Sequence, residues 1–305
     1  MATFIRAVAK STIKNKSVKN FIEKGALMRF IIGLLLASVT FAVTAQERIV
    51  SVGGSITEII YKLGKQDLLV GTDTTSNFPE AARHTAKVGY SRALSAEGIL
   101  SLDPSVVFLT KEAGPKHVIK QLKSAGVNIQ TLPTEFSVEG VIAKIKAIAK
   151  YLNAEQQGQD LIKEVYVQVE QAQKIIDRAR NKQPKILFVL SQQSGNLLVS
   201  GKNTQADGII KLVGGVNPMT QFNSYKPLTP EQIAEVMPDV ILMMARHGEA
   251  GENKMLKSLK SHPVLKLTPA VKNHKVIAME GSYLLGYGPR IGLALRELAE
   301  QIYDQ

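Results

Sequence analysis

The stretch RIVSVGGSITEIIYKLGKQDLLVGT (48–72) sets two short apolar runs, RIVSV and LLVGT, on either side of SITEIIYKLG, whose apolar residues recur at helical spacing. Ser55 and Glu58 have the S-x-x-E spacing of a capping box at the start of that helix, and Gly64 supplies its stop. The glycines and serine at 53–55 are thus read as a helix start, not as the elbow of a serine nucleophile. A strand-helix-strand unit builds a parallel sheet, and the pattern repeats outward. SVVFLT (105–110) is followed by KHVIKQLKSAG (116–126), and after Pro184 KILFVL (185–190) restarts the alternation as far as a C-terminal helix beyond Gly288-Pro289-Arg290. The fold class is α/β.

The alternation is interrupted once. Residues 154–182 are rich in Gln, Glu and Lys, lack proline, and space Leu161, Ile162, Val165, Val169, Ile175 and Ile176 along one helical face. A helix of roughly 29 residues would span about 43 Å at 1.5 Å per residue. The expected architecture is therefore two Rossmann-like lobes, 46–153 and 183–305, joined by one long linker helix (154–182), with a ligand cleft between them. A helical linker predicts little lobe closure on binding.

An internal repeat supports two lobes. SAEGILSLDPSVVFLT (95–110) matches TPEQIAEVMPDVILMM (229–244) at a constant offset of 134 residues. In each copy a glutamate, Glu97 or Glu231, stands seven residues before Pro104 or Pro238, which introduces an apolar strand. Acids in a first helical turn favour the helix dipole, so both read as capping residues; matching acidic handles, one per lobe, are the alternative.

The chain has 305 residues and a formal charge of +12. MRFIIGLLLASVTFAVTA (28–45) has a single Arg, an apolar run too short for the roughly 20 residues that span a bilayer, and small residues at its end. It is read as a secretory signal peptide cleaved after Ala45. Residues 1–27 are read as an upstream extension, with Met28 as the initiator. The first 45 residues hold seven Lys/Arg and one Glu, which leaves 31 basic and 25 acidic residues, or +6, for the remainder. No basic run interleaved with aromatics follows Ala45, so no nucleic-acid partner is expected; a modest cation excess suits a small anionic ligand. The absence of cysteine excludes disulfides, thiolate metal sites, Cys nucleophiles and lipid attachment at a signal-peptide cysteine. The expected product is a free monomer in the periplasm.

GxGxxG, GxxxxGK[ST] and HExxH do not occur, and the five histidines (His84, His117, His247, His262, His274) include no i, i+4 pair, which argues against a zinc site. Tyr90, in KVGYSRALSAEG (87–98), is more ambiguous. Composition favours a packed tyrosine with a bonded hydroxyl. Gly89 before it and Ser91-Arg92 after it instead suggest a loop at a lobe edge, where α/β proteins meet ligands. A phenolate is a hard anionic donor suited to ferric iron and serves as a haem axial ligand, and Arg92 could stabilise the anion or pair with a carboxylate.

The segments VGYSRALSAEGILSLDPSVV (88–107), VLSQQSGNLLVSGKNTQADGIIKLVGGVN (189–217), YKPLTPEQIAEVMPDVILMM (225–244) and GYGPR (286–290) resemble the haem-binding periplasmic proteins of ABC importers, within the larger group that carries cobalamin, siderophores or haem. The resemblance covers essentially all of 46–305. It implies a binding protein and not an enzyme, with haem as transported ligand held between two lobes and passed to a membrane permease with its ATPase. On that pattern Tyr90 corresponds to the axial ligand of the haem iron and Arg92 to its neighbouring arginine. Glu97 and Glu231 correspond to acids that dock the permease, and Arg246 to a second-lobe arginine on the far haem face. Some members offer a histidine where this chain has Gln192 and Gln193, so these two are expected as weak haem contacts beside a five-coordinate or water-capped iron. Tyr225, offset 135 from Tyr90, is a candidate for the opposite wall; packing is the bland reading for it, as for Tyr283 and Tyr287.

Two rivals follow. A cobalamin or ferric-siderophore binder of the same group would not need a protein phenolate. An exported α/β hydrolase using Ser55 or Ser91 would need an elbow motif that the sequence lacks. A cell-surface adhesion module is disfavoured, because no repeats occur beyond the two lobes.

Overall fold

The computed structural model describes residues 46–303 except 180, 194–195 and 246–248, and leaves aside the side chains of 193 and 249–253. The signal peptide, its cleavage site, the upstream extension, Arg246 and His247 therefore lie outside the described residues, as does the side chain of Gln193.

The first half runs β1 (Ile49–Ser51), α1 (Gly54–Lys62), β2 (Leu69–Thr72), β3 (Gly89–Tyr90), β4 (Ala93–Leu94), α2 (Ala96–Leu100), β5 (Val106–Thr110), α3 (Lys116–Ser124), β6 (Asn128–Leu132) and α4 (Val138–Tyr151). Then come α5 (Glu155–Arg178), β7 (Ile186–Gln193), β8 (Asn196–Ser200), α6 (Gln205–Leu212), β9 (Tyr225–Leu228), α7 (Pro230–Val236), β10 (Val240–Ala245), α8 (Glu249–Ser261), α9 (Pro269–Lys272), β11 (Val276–Glu280), α10 (Gly281–Leu285) and α11 (Ile291–Tyr303). One sheet has the order β2-β1-β5-β6 and is wholly parallel. The other, β11-β10-β7-β8-β9, is parallel through β7 and antiparallel beyond it. The α/β expectation and its two lobes are thus observed.

The linker helix is shorter than expected, 24 residues instead of 29, or about 36 Å. Its last buried apolar residue is Ile176, after which Asp177 and Arg178 offer no face to pack. Leu161, Ile162, Val165, Ala172 and Ile176 are buried along it, each large aliphatic side chain worth roughly 1.5–3 kcal/mol. α11 lies close against it: a Cβ on Gly292 would stand 2.5 Å from Gln168 Cβ, so only glycine permits the approach. The core around this pair is continuous, containing Ile49 and Phe108 of the first sheet and Phe188 and Leu242 of the second. Residues 47–305 accordingly form one compact unit, in which the two lobes are joined by shared apolar packing as well as by the helix.

Two capping assignments change. α1 begins at Gly54, not Ser55, and no side chain caps it. The Gly53 N–H donates to Asp73 Oδ1 (3.0 Å) and the Gly54 N–H to Thr75 Oγ1 (3.1 Å), which frees Ser55 and Glu58 for contacts elsewhere. In the repeat, the capping side chains are Ser95, which accepts from the Gly98 N–H, and Thr229, which accepts from Gln232 in a full capping box. Glu97 and Glu231 lie two residues beyond these caps, in the first helical turn where an acid favours the dipole, and are exposed to solvent. The caps obey the same 134-residue offset, as do Asp103 and Met237, both left-handed at φ 44° immediately before Pro104 and Pro238. The repeat therefore extends to backbone conformation.

Candidate functional site: a cleft at the strand ends

A cavity of about 590 Å³ opens between the two sheets, within the roughly 300–1,000 Å³ usual for small-molecule sites. It lies at the carboxyl ends of the parallel strands. Gly53 to Ser55 follow β1, Thr74 and Thr75 follow β2, Thr110 ends β5, Phe136 comes after β6, and Ala245 and Glu280 end β10 and β11. Ligands of open α/β sheets bind there because loops diverge at the strand ends and leave a crevice.

Tyr90 stands on this cavity's wall. β3 and β4 form a two-residue hairpin pairing Tyr90 with Ala93, so Ser91 and Arg92 are its tip. Gly89 enters it at φ 101°, a conformation glycine tolerates, and a Cβ there would meet the Ala93 carbonyl at 2.9 Å. The hairpin is held from both sides: the Thr74 N–H donates to the Gly89 carbonyl (2.9 Å) and the Gly114 N–H to the Ser91 carbonyl (2.9 Å). Tyr90 is 47% exposed, so the packed-core reading of this residue is overturned. Arg92, also exposed, shares the cavity with Tyr225 from the second lobe. Burial pushes the Tyr225 hydroxyl up, while its hydrogen bond with Thr204 and the Arg92 charge pull it back.

The structure does not bring Gln192 to the cleft. Leu190 lines it, but a register shift between Val189 and Ser191 in the β7–β8 pairing breaks the two-residue alternation beyond that point. The Gln192 side chain instead accepts from Ser258 Oγ (2.7 Å) and faces a separate depression with Pro230 and His262. Among the described residues no cluster of three or more His, Asp or Glu could hold a metal ion.

Sequence reasoning missed the floor. Lys144 of α4 is 5% exposed and donates to Ser55 Oγ (3.1 Å) and to the Tyr287 carbonyl (3.1 Å), touching both lobes. Burial lowers its ammonium to about 8, against a smaller opposing pull from Glu112. Tyr287, buried, donates to the Gln205 carbonyl (2.8 Å) and packs on Phe136 with ring centroids 5.4 Å apart. Lys144 is an inward-facing lysine among the apolar positions of a helix, a signal that periodicity could have flagged. Phe136 carries no such signal.

Beside the floor, Arg290 closes the seam. Its Nε donates to Glu58 Oε1 (3.0 Å), and its guanidinium lies over the rings of Phe78 (3.7 Å) and Tyr283 (5.0 Å). Burial pushes the Glu58 carboxyl up, and the hydrogen bond and charge of Arg290 pull it back. The described lining holds two cations, Arg92 and Lys144, against Glu112, Glu135 and Glu280. Glu280 is engaged as the cap of α10, accepting from the Ser282 and Tyr283 N–H groups.

Two α/β lobes with an open cleft and a preformed polar floor define a substrate-binding protein. The chain belongs to the periplasmic binding protein family, which it matches over residues 49–283. It is 36% identical to the periplasmic haem-binding protein BhuT, solved with two haems, over 85% of this chain and 98% of that one (TM-score 0.78). It is 35% identical to apo RhuT from Roseiflexus sp. RS-1, a periplasmic haem-binding protein, over 85% and 99% (TM-score 0.77). Among curated relatives, the vitamin B12-binding protein of Vibrio campbellii is 24% identical over 89% of this chain and 94% of its own length. An ABC transporter substrate-binding lipoprotein of Bacillus subtilis, YvrC, is 26% identical over 84% and 80%.

Proposed function

We propose that the chain is a periplasmic haem carrier of an ABC importer, binding haem in the interlobe cleft through the Tyr90 phenolate and passing it to an inner-membrane permease and its ATPase. The observation that carries this reading is a half-exposed tyrosine on a braced hairpin in the cleft wall, with Arg92 two residues away. Haem is a broad apolar plate with two carboxylates, and the cleft offers aromatic and aliphatic walls (Phe136, Leu190, Met244, Leu285) with cations at Arg92 and Lys144. The solved haem-binding relatives, at 35–36% identity over nearly the whole described unit, support the same ligand.

A second reading, cobalamin, is favoured by the names of the curated relatives. Cobalamin brings its own axial ligands and carries amides and one phosphodiester in place of the two free carboxylates of haem, so it gives the Tyr90 phenolate no metal to bind. Titrating purified protein beginning at Gln46 with hemin and, separately, with cyanocobalamin tests the two. A Soret shift saturating with hemin and no binding of cyanocobalamin is expected; the converse would replace haem by cobalamin.

Glu97 and Glu231 are proposed as permease-docking residues, one per lobe at equivalent positions of the repeat. Both are exposed, and the Glu231 carboxyl is held below the usual range by its own backbone N–H and the Thr229 hydroxyl, so it stays charged near neutral pH. Glu97→Ala with Glu231→Ala should leave hemin binding unchanged while abolishing stimulation of the transporter's ATPase in proteoliposomes. Full stimulation by the double variant would remove the docking assignment.

A further inference from the structure

Among the described residues, the ammonium of Lys144 is a buried charge without an ion-pair partner. Its three N–H donors have two acceptors among the described residues, both neutral: the Ser55 hydroxyl and the Tyr287 carbonyl. No carboxylate lies within ion-pair distance of it there. Glu112, whose charge acts on it, is 3.9 Å from Lys111 and exerts only a through-space pull. Lys144 nevertheless borders the cavity. A lysine kept at 5% exposure with one donor unsatisfied is costly unless something brought into the cleft completes it.

We infer that Lys144 and Ser55 form a carboxylate-receiving site on the cleft floor, taking one acid group of the ligand. The Ser55 oxygen accepts from Lys144, so its own O–H is left to donate to the same carboxylate, and the site presents one charged and one neutral donor side by side. An incoming carboxylate supplies the missing acceptor and the missing negative charge together, in surroundings where both count for more than in water. Arg92 and Lys144 are the two cations of the described lining; Arg92 is exposed at the hairpin tip, and Lys144 is buried at the floor, where its charge is less screened by solvent. Burial holds the ammonium at about 8, so it remains protonated at neutral pH and ready to pair.

This inference rests on the haem reading, where the acid group is a propionate, and the test separates the two. Hemin and iron(III) protoporphyrin dimethyl ester, which keeps the iron and the ring but has no carboxylates, are titrated in one detergent-containing buffer into the wild type, Lys144→Met and Ser55→Ala. Lys144→Met should weaken hemin on the order of 10- to 100-fold and the ester less than about 3-fold, with Ser55→Ala showing a smaller loss of the same selectivity. A Lys144 that merely braced the two lobes would weaken both porphyrins alike, and that result overturns the inference, as does an unchanged hemin affinity. Should Lys144→Met fail to fold by circular dichroism, the hemin-to-ester ratio of Ser55→Ala decides: a lowered ratio supports the site and an unaltered one sinks it. Failure of the wild type to bind either porphyrin overturns the haem reading, and this inference with it.

Discussion

Tyr90→Phe is expected to weaken hemin binding by roughly 30- to 1,000-fold, the ~2–4 kcal/mol of a dominant contact, and to remove the phenolate-to-iron charge-transfer band. The substitution keeps the aromatic ring and deletes one oxygen. Since Tyr90 is half exposed and its hairpin is held by backbone hydrogen bonds from Thr74 and Gly114, thermal stability should change little. Tyr90→Ala should show the same spectral loss and a slightly larger loss of affinity, because the ring's contact with the haem face goes as well. A Phe variant that retains the wild-type spectrum and affinity would show that the iron is held by another group, and Tyr225 on the opposite wall would be the next residue to change.

The largest stability effect is expected at the seam. Arg290→Met leaves the Glu58 carboxylate, 4% exposed, without its partner and removes a cation from the faces of Phe78 and Tyr283. Breaking one side of a buried ion pair costs about 3–5 kcal/mol, which urea denaturation at pH 7 would read as a lower midpoint. The pH dependence has a definite sign. Glu58 already has a carboxyl raised above its usual 4.5 in the folded state by burial, and losing Arg290 removes the hydrogen bond and the charge that oppose that rise, leaving the pull of Lys62. A group raised on folding favours the fold below its unfolded value and loses that contribution as pH rises through the folded one. The deficit of Arg290→Met should therefore be largest at neutral pH and shrink on acidification toward about 4.5. Combining it with Glu58→Gln should restore part of the loss at pH 7. A deficit of equal size at pH 7 and pH 5, with no recovery in the double variant, would mean that Arg290 acts through packing alone.

The α/β alternation was legible because apolar runs and amphipathic helices have different periods, and the 134-residue repeat was legible down to the glutamates and prolines. The repeat also carried more than was read from it: Ser95 and Thr229 are its true caps, and the sequence contains both in plain view. The Ser55-Glu58 box failed for a physical reason. A local motif competes with tertiary partners, and Asp73 and Thr75 satisfy the first amides of α1 from another loop, releasing Ser55 to Lys144 and Glu58 to Arg290. Gln192 failed differently: one irregularity in strand register turned it away from the cleft wall that Leu190 occupies, and such an irregularity leaves no mark in composition.

Periodicity, punctuation by Gly and Pro, and the internal repeat were enough to specify two α/β lobes and the long helix between them, while the loop expected around Tyr90 and Arg92 is a short β-hairpin with Tyr90 on its first strand. These are properties of residues near one another in the chain, and local sterics and hydrophobic spacing decide them. Whether Tyr90 was core or wall, and which polar groups meet at the cleft floor and the seam, depended on residues far apart in the chain, separated by 89 positions in Lys144 with Ser55 and 232 in Arg290 with Glu58. Such pairings are settled only when the two sheets pack around α5 and α11. The apolar core then fixes which polar groups are left facing one another at the strand ends.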